Sequence, residues 1–88
     1  MIKHNVYFDG AVQSLGFQDG NQDYTIGVVE PGVWDFGEAT RPETITILTG
    51  YLRISGATIT TGKTITINPG VSIVIEAKGA ASYLCRYG

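Results

Sequence analysis

Alternation of threonine with isoleucine, interrupted at short intervals by glycine, is the feature that most limits the folds open to this chain of 88 residues. The segment TITILT at 44–49 places its threonines on one side and its isoleucines on the other, and TITIN at 64–68 repeats the pattern. A period of two is typical of half-buried β-strands. No window of the sequence shows a convincing helical period.

The same criteria predict further strands along the chain. They are Ala11–Phe17, Tyr24–Glu30, Val33–Phe36, Tyr51–Ser55, Ala57–Thr60, 71–75 and Ser82–Tyr87. Between the strands lie glycine-containing turns such as NPG at 68–70, where proline presets φ and glycine tolerates positive φ. Many short strands with glycine-rich turns indicate an all-β sandwich or barrel. No linker or low-complexity segment divides the chain, so we expect a single domain over residues 1–88.

Composition and charge exclude several classes of function. A net charge of -2 provides no basic field for nucleic-acid phosphates. Apolar runs such as VSIVI are far shorter than the about 20 residues that span a bilayer, and MIKHNVYFDG lacks the apolar core of a signal peptide. One cysteine cannot form an internal disulfide, and one distant histidine gives it no metal-ligand spacing. We expect a cytoplasmic protein that binds neither membrane nor nucleic acid, with a core small enough to make a dimer plausible.

Two spacings resemble the two halves of the cupin signature. Glu43 and Gly50 bracket six residues in ETITILTG, and Gly62 precedes the NPG turn by a short strand. The resemblance implies a cupin-type double-stranded jelly-roll β-barrel. Metal-binding cupins carry histidines shortly before the glutamate and after the proline–glycine turn, but here those stretches read FGEATRP and VSIVIEA. The usual metal cradle is therefore absent, and we expect no metal.

Longer motifs are similar to one family within the cupins. They are YFDGAVQSLGF at 7–17, IGVVEPGVWDF at 26–36, PETITILTG at 42–50 and ASYLCRYG at 81–88. In this order they resemble the small cupin family of broad-specificity pyrimidine/purine nucleoside phosphorylases. The resemblance implies a homodimeric enzyme that converts purine and pyrimidine nucleosides plus phosphate to free base and α-D-ribose 1-phosphate. It implies no metal or organic cofactor, with inorganic phosphate as co-substrate.

The reaction requires a cation to hold phosphate and a carboxylate near the sugar, because cleavage at C1′ builds positive charge on the ribose ring. Arginine grips phosphate with a planar fork of donors, which favours Arg41, Arg53 and Arg86 among the six basic residues. If leucine and isoleucine mark the inside, Arg86 points inward beside Leu84 and Arg53 points outward. We therefore predict Arg86 as the catalytic arginine. The alternative is an arginine at a strand end that reaches solvent or pairs with Glu76.

The remaining site predictions come from the same motifs. Glu43 matches the cupin glutamate and is predicted to stabilise the developing ring charge, the alternative being a solvated carboxylate at the start of a strand. An aromatic side chain can stack on a purine or a pyrimidine alike, which favours Phe17, Trp34 and Tyr83 as base-binding residues. The alternative for each of these three rings is a place in the hydrophobic core. The predicted substrate-binding residues are Ser14, Phe17, Trp34, Arg41, Tyr83 and Tyr87. Cys85 is interpreted as a small buried hydrophobe, because a reactive thiolate needs a nearby base or cation.

Two alternatives to this enzyme stay open. One is a metal-free cupin that binds a small anionic or nucleoside-like ligand without turning it over. The other is a metal cupin that uses His4 with the carboxylates Glu38 and Glu43.

Overall fold

The predicted strands are all present in the computed structural model, which describes every residue from Met1 to Gly88. The ten strands are β1 (Lys3–Tyr7), β2 (Val12–Asp19), β3 (Gln22–Val29), β4 (Gly32–Glu38), β5 (Glu43–Thr49), β6 (Tyr51–Ile54), β7 (Ala57–Thr60), β8 (Thr64–Ile67), β9 (Ser72–Ala77) and β10 (Ala81–Tyr87). Strand β1 was not predicted, because its side chains are mostly exposed and show no alternation.

The strands form two antiparallel sheets that pack face to face. The larger sheet has the order β1-β2-β3-β10-β5-β8, and the smaller has the order β4-β9-β6-β7. The chain crosses repeatedly between the sheets, which is the arrangement of a double-stranded jelly roll, so the predicted all-β fold is confirmed. The one helical segment is the short 3-10 turn Phe8–Gly10. No helix of the protein has the length and apolar character needed to cross a membrane.

The core lies between the sheets and is built mainly from the isoleucines of the alternating strands. Ile47, Leu52 and Ile54 are completely inaccessible to solvent within this core. Burying each such side chain contributes roughly 1.5–3 kcal/mol to folding. The threonines of β5 and β8 lie on the outside, where the hydroxyls of Thr46 and Thr64 are 2.9 Å apart and hydrogen-bonded. The alternation therefore separates core from surface in these two strands as predicted.

The outer face of the six-stranded sheet is more apolar than this pattern suggests. Leu15 of β2 and Leu84 of β10 both lie in register with Ile26 of β3. Leu15 and Ile26 are 48% and 44% exposed, and Val28 is 55% exposed. In β2, β3 and β10 an aliphatic side chain is therefore no guide to which face points inward.

The loop between β4 and β5, residues 39–42, is held by backbone hydrogen bonds at both ends. The Ala39 amide donates to the carbonyl of Val71 at 2.9 Å, and the Gly88 amide donates to the carbonyl of Pro42 at 2.9 Å. The loop is thereby fixed to the turn before β9 and to the end of β10. This attachment sets the position of the arginine that the loop carries.

Candidate functional site

A cavity of about 260 Å³ lies inside the jelly roll, between the two sheets. This inner cavity is lined by Tyr7, Ser14, Phe36, Glu38, Ala39, Thr40, Glu43, Ile45, Leu52, Ile73, Ile75, Tyr83, Cys85 and Tyr87. Its lining is mostly apolar, with a few hydroxyl, thiol and carboxyl groups. Sites for small molecules are usually apolar spaces of roughly 300–1,000 Å³ with a few polar groups, so the inner cavity has the character of such a site and is slightly smaller than the usual range.

Strand β10 supplies three neighbouring groups to the wall of the inner cavity. Tyr83, Cys85 and Tyr87 point inward, whereas Arg86 is exposed on the opposite face of the strand. The prediction that Arg86 points into the cavity is therefore wrong. The inference failed because it took Leu84 as a marker of the inside, and Leu84 lies on the apolar outer face of the sheet.

Of the two predicted alternatives for Arg86, the structure shows the solvent-exposed side chain and not the pairing with Glu76. Arg86 lies in register with Tyr24 of β3 and Thr44 of β5, and it makes no salt bridge. Glu76 lies in register with Arg53, in the smaller sheet. Arg86 is thus a solvent-exposed side chain on the outer surface of the larger sheet.

Glu43 is the first residue of β5 and reaches the inner cavity from the edge next to Tyr87, its partner in register. The Cys85 thiol donates a hydrogen bond to Glu43 Oε1 at 3.5 Å. Burial raises the pKa of the Glu43 carboxyl, while the Cys85 hydrogen bond and the charge of Arg41 act in the opposite direction. Once ionised, this half-buried carboxylate is placed to stabilise positive charge that develops in the cavity.

Cys85 is 1% exposed and is not in a disulfide. Burial raises the pKa of its thiol to about 12, and the nearby Glu43 charge adds to the shift. The thiol is therefore protonated at neutral pH and is a poor nucleophile. The burial agrees with the interpretation of Cys85 as a small hydrophobe, although its contact with Glu43 was not foreseen.

The ring of Tyr83 packs against Gly27 of β3, its partner in register. A Cβ atom added to Gly27 would come within 2.4 Å of Tyr83 Cζ and 2.5 Å of its hydroxyl oxygen, so only glycine leaves room for the ring. Burial raises the pKa of Tyr83 to about 12, against an opposing effect of the Ser14 side chain. Ser14 Oγ in turn accepts a hydrogen bond from Asn5 Nδ2 at 3.2 Å. Ser14 and Tyr83 thus present neutral hydroxyl groups to the cavity.

Tyr87 is the second aromatic group that β10 contributes to the wall of the inner cavity. Its hydroxyl lies 3.3 Å from Thr25 Oγ1, and burial raises its pKa, so the phenol stays protonated at neutral pH. Tyr87 also contacts a second space outside the jelly roll. It is therefore part of a wall with the inner cavity on one side and solvent on the other.

This second space is an open depression of about 770 Å³. The surface groove is lined by Met1, Ile2, Lys3, Asn5, Tyr7, Gly16, Phe17, Gln18, Gly20, Asp23, Tyr24, Thr25, Arg41 and Tyr87. Tyr7 and Tyr87 line both spaces, so we refer to them as the tyrosine wall. The Arg41 guanidinium lies over the ring of Tyr87 at 4.6 Å, and its Nη1 donates to Asp23 Oδ2 at 3.0 Å. The Arg41 guanidinium thus lies on the groove side of the tyrosine wall, and the Glu43 carboxylate lies on the cavity side.

The structure brings only part of the predicted set together. Ser14, Glu43, Tyr83 and Tyr87 line the inner cavity. Phe17 and Arg41 line the surface groove instead. In the groove Phe17 stacks on Tyr24, with ring centroids 5.5 Å apart and an interplanar angle of 16°.

Trp34 lines neither space, and the prediction that it completes the pocket is wrong. Its indole Nε1 donates to the carbonyl of Glu30 at 2.9 Å, and its ring packs 5.2 Å from that of Phe8. The ring also covers Gly32, where an added Cβ would lie 2.4 Å from the indole. Trp34 therefore packs beside the start of its own strand, against the 3-10 turn.

Sequence reasoning missed several residues of the two spaces. Tyr7 packs edge-on against Phe36 with ring centroids 5.3 Å apart, and both line the inner cavity. The YFDG motif contains Tyr7 and could have drawn attention to it. Asp23 carries no such signal, because its pairing with Arg41 joins residues 18 positions apart in sequence.

The alternative metal site does not form. His4 is exposed on β1 and its Nε2 is hydrogen-bonded to Gln13 Oε1 at 2.9 Å, whereas Glu38 and Glu43 line the inner cavity. No three histidine, cysteine, aspartate or glutamate side chains come together in a group that could hold a metal ion. The combination of His4 with these two carboxylates is therefore wrong.

Known proteins resemble this chain in sequence and in fold. The family model described as pyrimidine/purine nucleoside phosphorylase matches residues 2–87. The protein of that name from Vibrio cholerae serotype O1 is 38% identical over 93 residues, covering 99% of this chain and 97% of the relative. A crystal structure of a protein of unknown function from Vibrio parahaemolyticus has a TM-score of 0.88 at 36% identity, covering 98% of this chain and 97% of that chain. A cupin-2 domain from Rhodospirillum rubrum has a TM-score of 0.72 at 18% identity, covering 99% of this chain and 69% of that chain, which shows a shared fold.

Proposed function

The chain belongs to the pyrimidine/purine nucleoside phosphorylase family, and on this premise we propose that it cleaves both purine and pyrimidine nucleosides with inorganic phosphate. The products are the free base and α-D-ribose 1-phosphate. A phosphate oxygen forms a bond to C1′ while the bond from C1′ to the base nitrogen breaks. The electron pair of that bond leaves with the base, which takes up a proton. The overall reaction is a pentosyl transfer that needs phosphate as co-substrate and no other cofactor.

The observation that carries this proposal is the placement of Glu43 in the inner cavity. Its carboxylate is half-buried beside Tyr87, in a mostly apolar space, where electrostatic interactions are stronger than in water. The transition state of glycosyl transfer resembles an oxocarbenium ion, with positive charge on the ribose ring. A fixed carboxylate next to the ring stabilises that charge more than it stabilises the neutral substrate, which is the requirement for catalysis.

The lining of the inner cavity supports broad specificity for the base. Aromatic and aliphatic groups such as Phe36 and Tyr83 interact with the flat face of any base rather than with a particular pattern of edge groups. The hydroxyls of Ser14 and Tyr83 rotate and can act as donor or acceptor. Because the raised pKa of Tyr83 keeps its phenol protonated, it can donate a hydrogen bond to the departing base.

The proposal includes a cytoplasmic homodimer. A dimer is supported by the exposed aliphatic side chains of the larger sheet, Leu15, Ile26 and Val28, because contiguous apolar surface is typical of protein interfaces. The free thiol of Cys85 is consistent with a reducing compartment. Light scattering of the purified protein measures the mass in solution, and a mass of one chain would contradict the dimer.

The proposed reaction is tested by incubating the purified chain with inosine or uridine, with and without inorganic phosphate. We expect release of hypoxanthine and of uracil that depends on phosphate, with ribose 1-phosphate formed in equal amount. Reactions without phosphate are the control for hydrolysis. Binding of both nucleosides without release of base at saturating phosphate would identify a binding protein instead.

A further inference from the structure

We propose that Arg41 is the phosphate ligand of this reaction and that Asp23 is an internal competitor, which holds the arginine until inorganic phosphate replaces the carboxylate. The inference rests on the proposed function, because it assigns a place to the phosphate of that reaction. It locates phosphate at the surface groove, next to the tyrosine wall.

Position separates Arg41 from the other arginines. Neither Arg53 nor Arg86 lines the inner cavity or the surface groove. Arg41 precedes Glu43 by two positions in the loop that is fixed at Ala39 and Pro42, so one rigid segment supplies both the cation and the carboxylate. Burial raises the pKa of the Glu43 carboxyl, and the positive charge of Arg41 opposes that rise, so the two groups are within electrostatic reach of each other.

The contacts of Arg41 leave most of its hydrogen-bonding capacity free. Arginine carries several N–H donors in a planar fork, and one of them is engaged, from Nη1 to Asp23 Oδ2 at 3.0 Å. The guanidinium lies over the ring of Tyr87 at 4.6 Å, which fixes its position against the tyrosine wall. The fork is therefore held in place while most of its donors remain available to an anion.

The partner that Arg41 already has can be displaced. The side chains of Arg41 and Asp23 are 47% and 35% exposed, and ion pairs in contact with water contribute little to stability. Phosphate carries more negative charge than a carboxylate and can bind the guanidinium through two hydrogen bonds. Asp23 itself stays in position, because Gln18 Nε2 donates to its Oδ1 at 2.7 Å. The ion pair between Asp23 and Arg41 can therefore form again when ribose 1-phosphate leaves.

In this arrangement the nucleoside and the phosphate bind on opposite sides of the tyrosine wall. Glu43 attracts the charge that develops on the ribose in the inner cavity, and Arg41 holds phosphate at the groove side of Tyr87. The bound phosphate supplies the oxygen that forms the new bond to C1′ while the bond from C1′ to the base breaks. The Asp23 carboxylate that phosphate displaces keeps its bond to Gln18.

A first test measures phosphate binding without turnover. The wild-type protein is treated with phenylglyoxal, which modifies arginine, in the presence and absence of inorganic phosphate, and the rate at each arginine is followed by mass spectrometry of peptides. We expect phosphate to slow modification of Arg41 and to leave Arg53 and Arg86 unchanged. Equal rates at Arg41 with and without phosphate, or protection of Arg86 alone, would overturn the assignment.

A second test measures the competitor. Replacing Arg41 by alanine should raise the KM for phosphate by about tenfold or more, as expected for loss of a charged hydrogen-bonding partner. Replacing Asp23 by asparagine should lower that KM by about two- to fivefold, in line with the small contribution of an exposed ion pair. Arg53→Ala removes an exposed guanidinium outside both spaces and is the matched control, with unchanged KM for phosphate.

The two tests separate this inference from the proposed function. If Asp23 had only a structural role, Asp23→Asn would not lower the KM for phosphate. Thermal unfolding of each variant shows whether it folds. Turnover by the wild type, combined with a KM for phosphate that neither Arg41→Ala nor Asp23→Asn changes, contradicts the inference alone. Protection of Arg41 by phosphate in a protein that releases no base supports the phosphate site and contradicts the proposed reaction.

Discussion

Glu43 lines the inner cavity and Asp23 lines the surface groove, and the pKa values of these two carboxyl groups are shifted in opposite directions. In the inner cavity, burial raises the pKa of Glu43. In the open groove, hydrogen bonds from Gln18 and Arg41 lower the pKa of Asp23. Desolvation penalises the charged form, whereas a donor or a cation stabilises it. The comparison teaches that the role of each acid follows from its surroundings: Glu43 acts on charge in the substrate, and Asp23 is a ligand for an arginine.

The largest effect on activity is expected from a substitution of Glu43 in the inner cavity. Replacing Glu43 by glutamine removes the negative charge with little change of shape, and we expect kcat to fall by about 100-fold, the range found when one electrostatic group at a transition state is lost. Glu38→Gln is the matched control, because Glu38 also lines the inner cavity but is exposed. The measurement is kcat for release of hypoxanthine from inosine, and an equal fall in kcat in the two variants would contradict a special role for Glu43.

The shape of the inner cavity depends on Gly27. Replacing Gly27 by alanine places a Cβ within 2.4 Å of the Tyr83 ring, so the ring must move toward the cavity. We expect a loss of about 1–3 kcal/mol in the free energy of unfolding, as for other overpacked cores, and a higher KM for inosine than for uridine relative to wild type. Gly79→Ala is the control, since nothing lies within 4 Å of the added methyl group. Identical unfolding curves for the two variants would show that the Tyr83 ring does not need the space.

The pKa difference between the two spaces predicts a pH dependence. Because the pKa of Glu43 is raised from 4.5, the carboxyl gains its proton at a higher pH than an ordinary glutamate does. Activity is therefore lost on acidification through that raised pKa, and the midpoint of the acid limb of kcat/KM should lie above 4.5. For stability, protonation of Glu43 favours the folded state, so its contribution declines as pH rises through the raised pKa. If the acid limb of the kcat/KM profile is unchanged in Glu43→Gln, the loss of activity at low pH comes from protonation of another group.

The smallest effects are expected at Cys85. Its hydrogen bond opposes the rise that burial causes in the pKa of Glu43, so Cys85→Ala should move the acid limb to slightly higher pH, and the stronger donor in Cys85→Ser should move it to slightly lower pH. Because the thiol has a pKa of about 12, neither change removes a nucleophile, and kcat near neutral pH should change by less than about threefold. Iodoacetamide should not inactivate the native enzyme. Inactivation matched by carboxymethylation of Cys85 would contradict the neutral thiol.

The strands and the jelly roll could be predicted from the sequence because they depend on local alternation and on turn residues. The segments TITILT and TITIN place isoleucine in the core and threonine outside, and the structure reproduces both. The rule fails at β10, where Leu84 faces outward and two tyrosines and a cysteine face the cavity. The difference is physical: the inside of this strand borders a partly polar cavity, while its outside belongs to an apolar surface.

The candidate site was only partly predictable for a related reason. The cupin signature marks the position of Glu43, the motif at the end of the chain contains Tyr83 and Tyr87, and the structure places all three in the lining of the inner cavity. The pairing of Arg41 with Asp23 depends on how the loop before β5 lies against the hairpin of β2 and β3, and no local pattern reports such a contact. Long-range geometry therefore decided which arginine lies beside the tyrosine wall.

The most direct test is a crystal structure with inorganic phosphate and a nucleoside analogue whose base is joined to the sugar through carbon, so that it cannot be cleaved. The account predicts phosphate on the guanidinium of Arg41, with Asp23 released, and ribose hydroxyls within hydrogen-bonding distance of Glu43. Phosphate bound at Arg86 on the outer sheet, or an analogue bound outside the inner cavity, would contradict it.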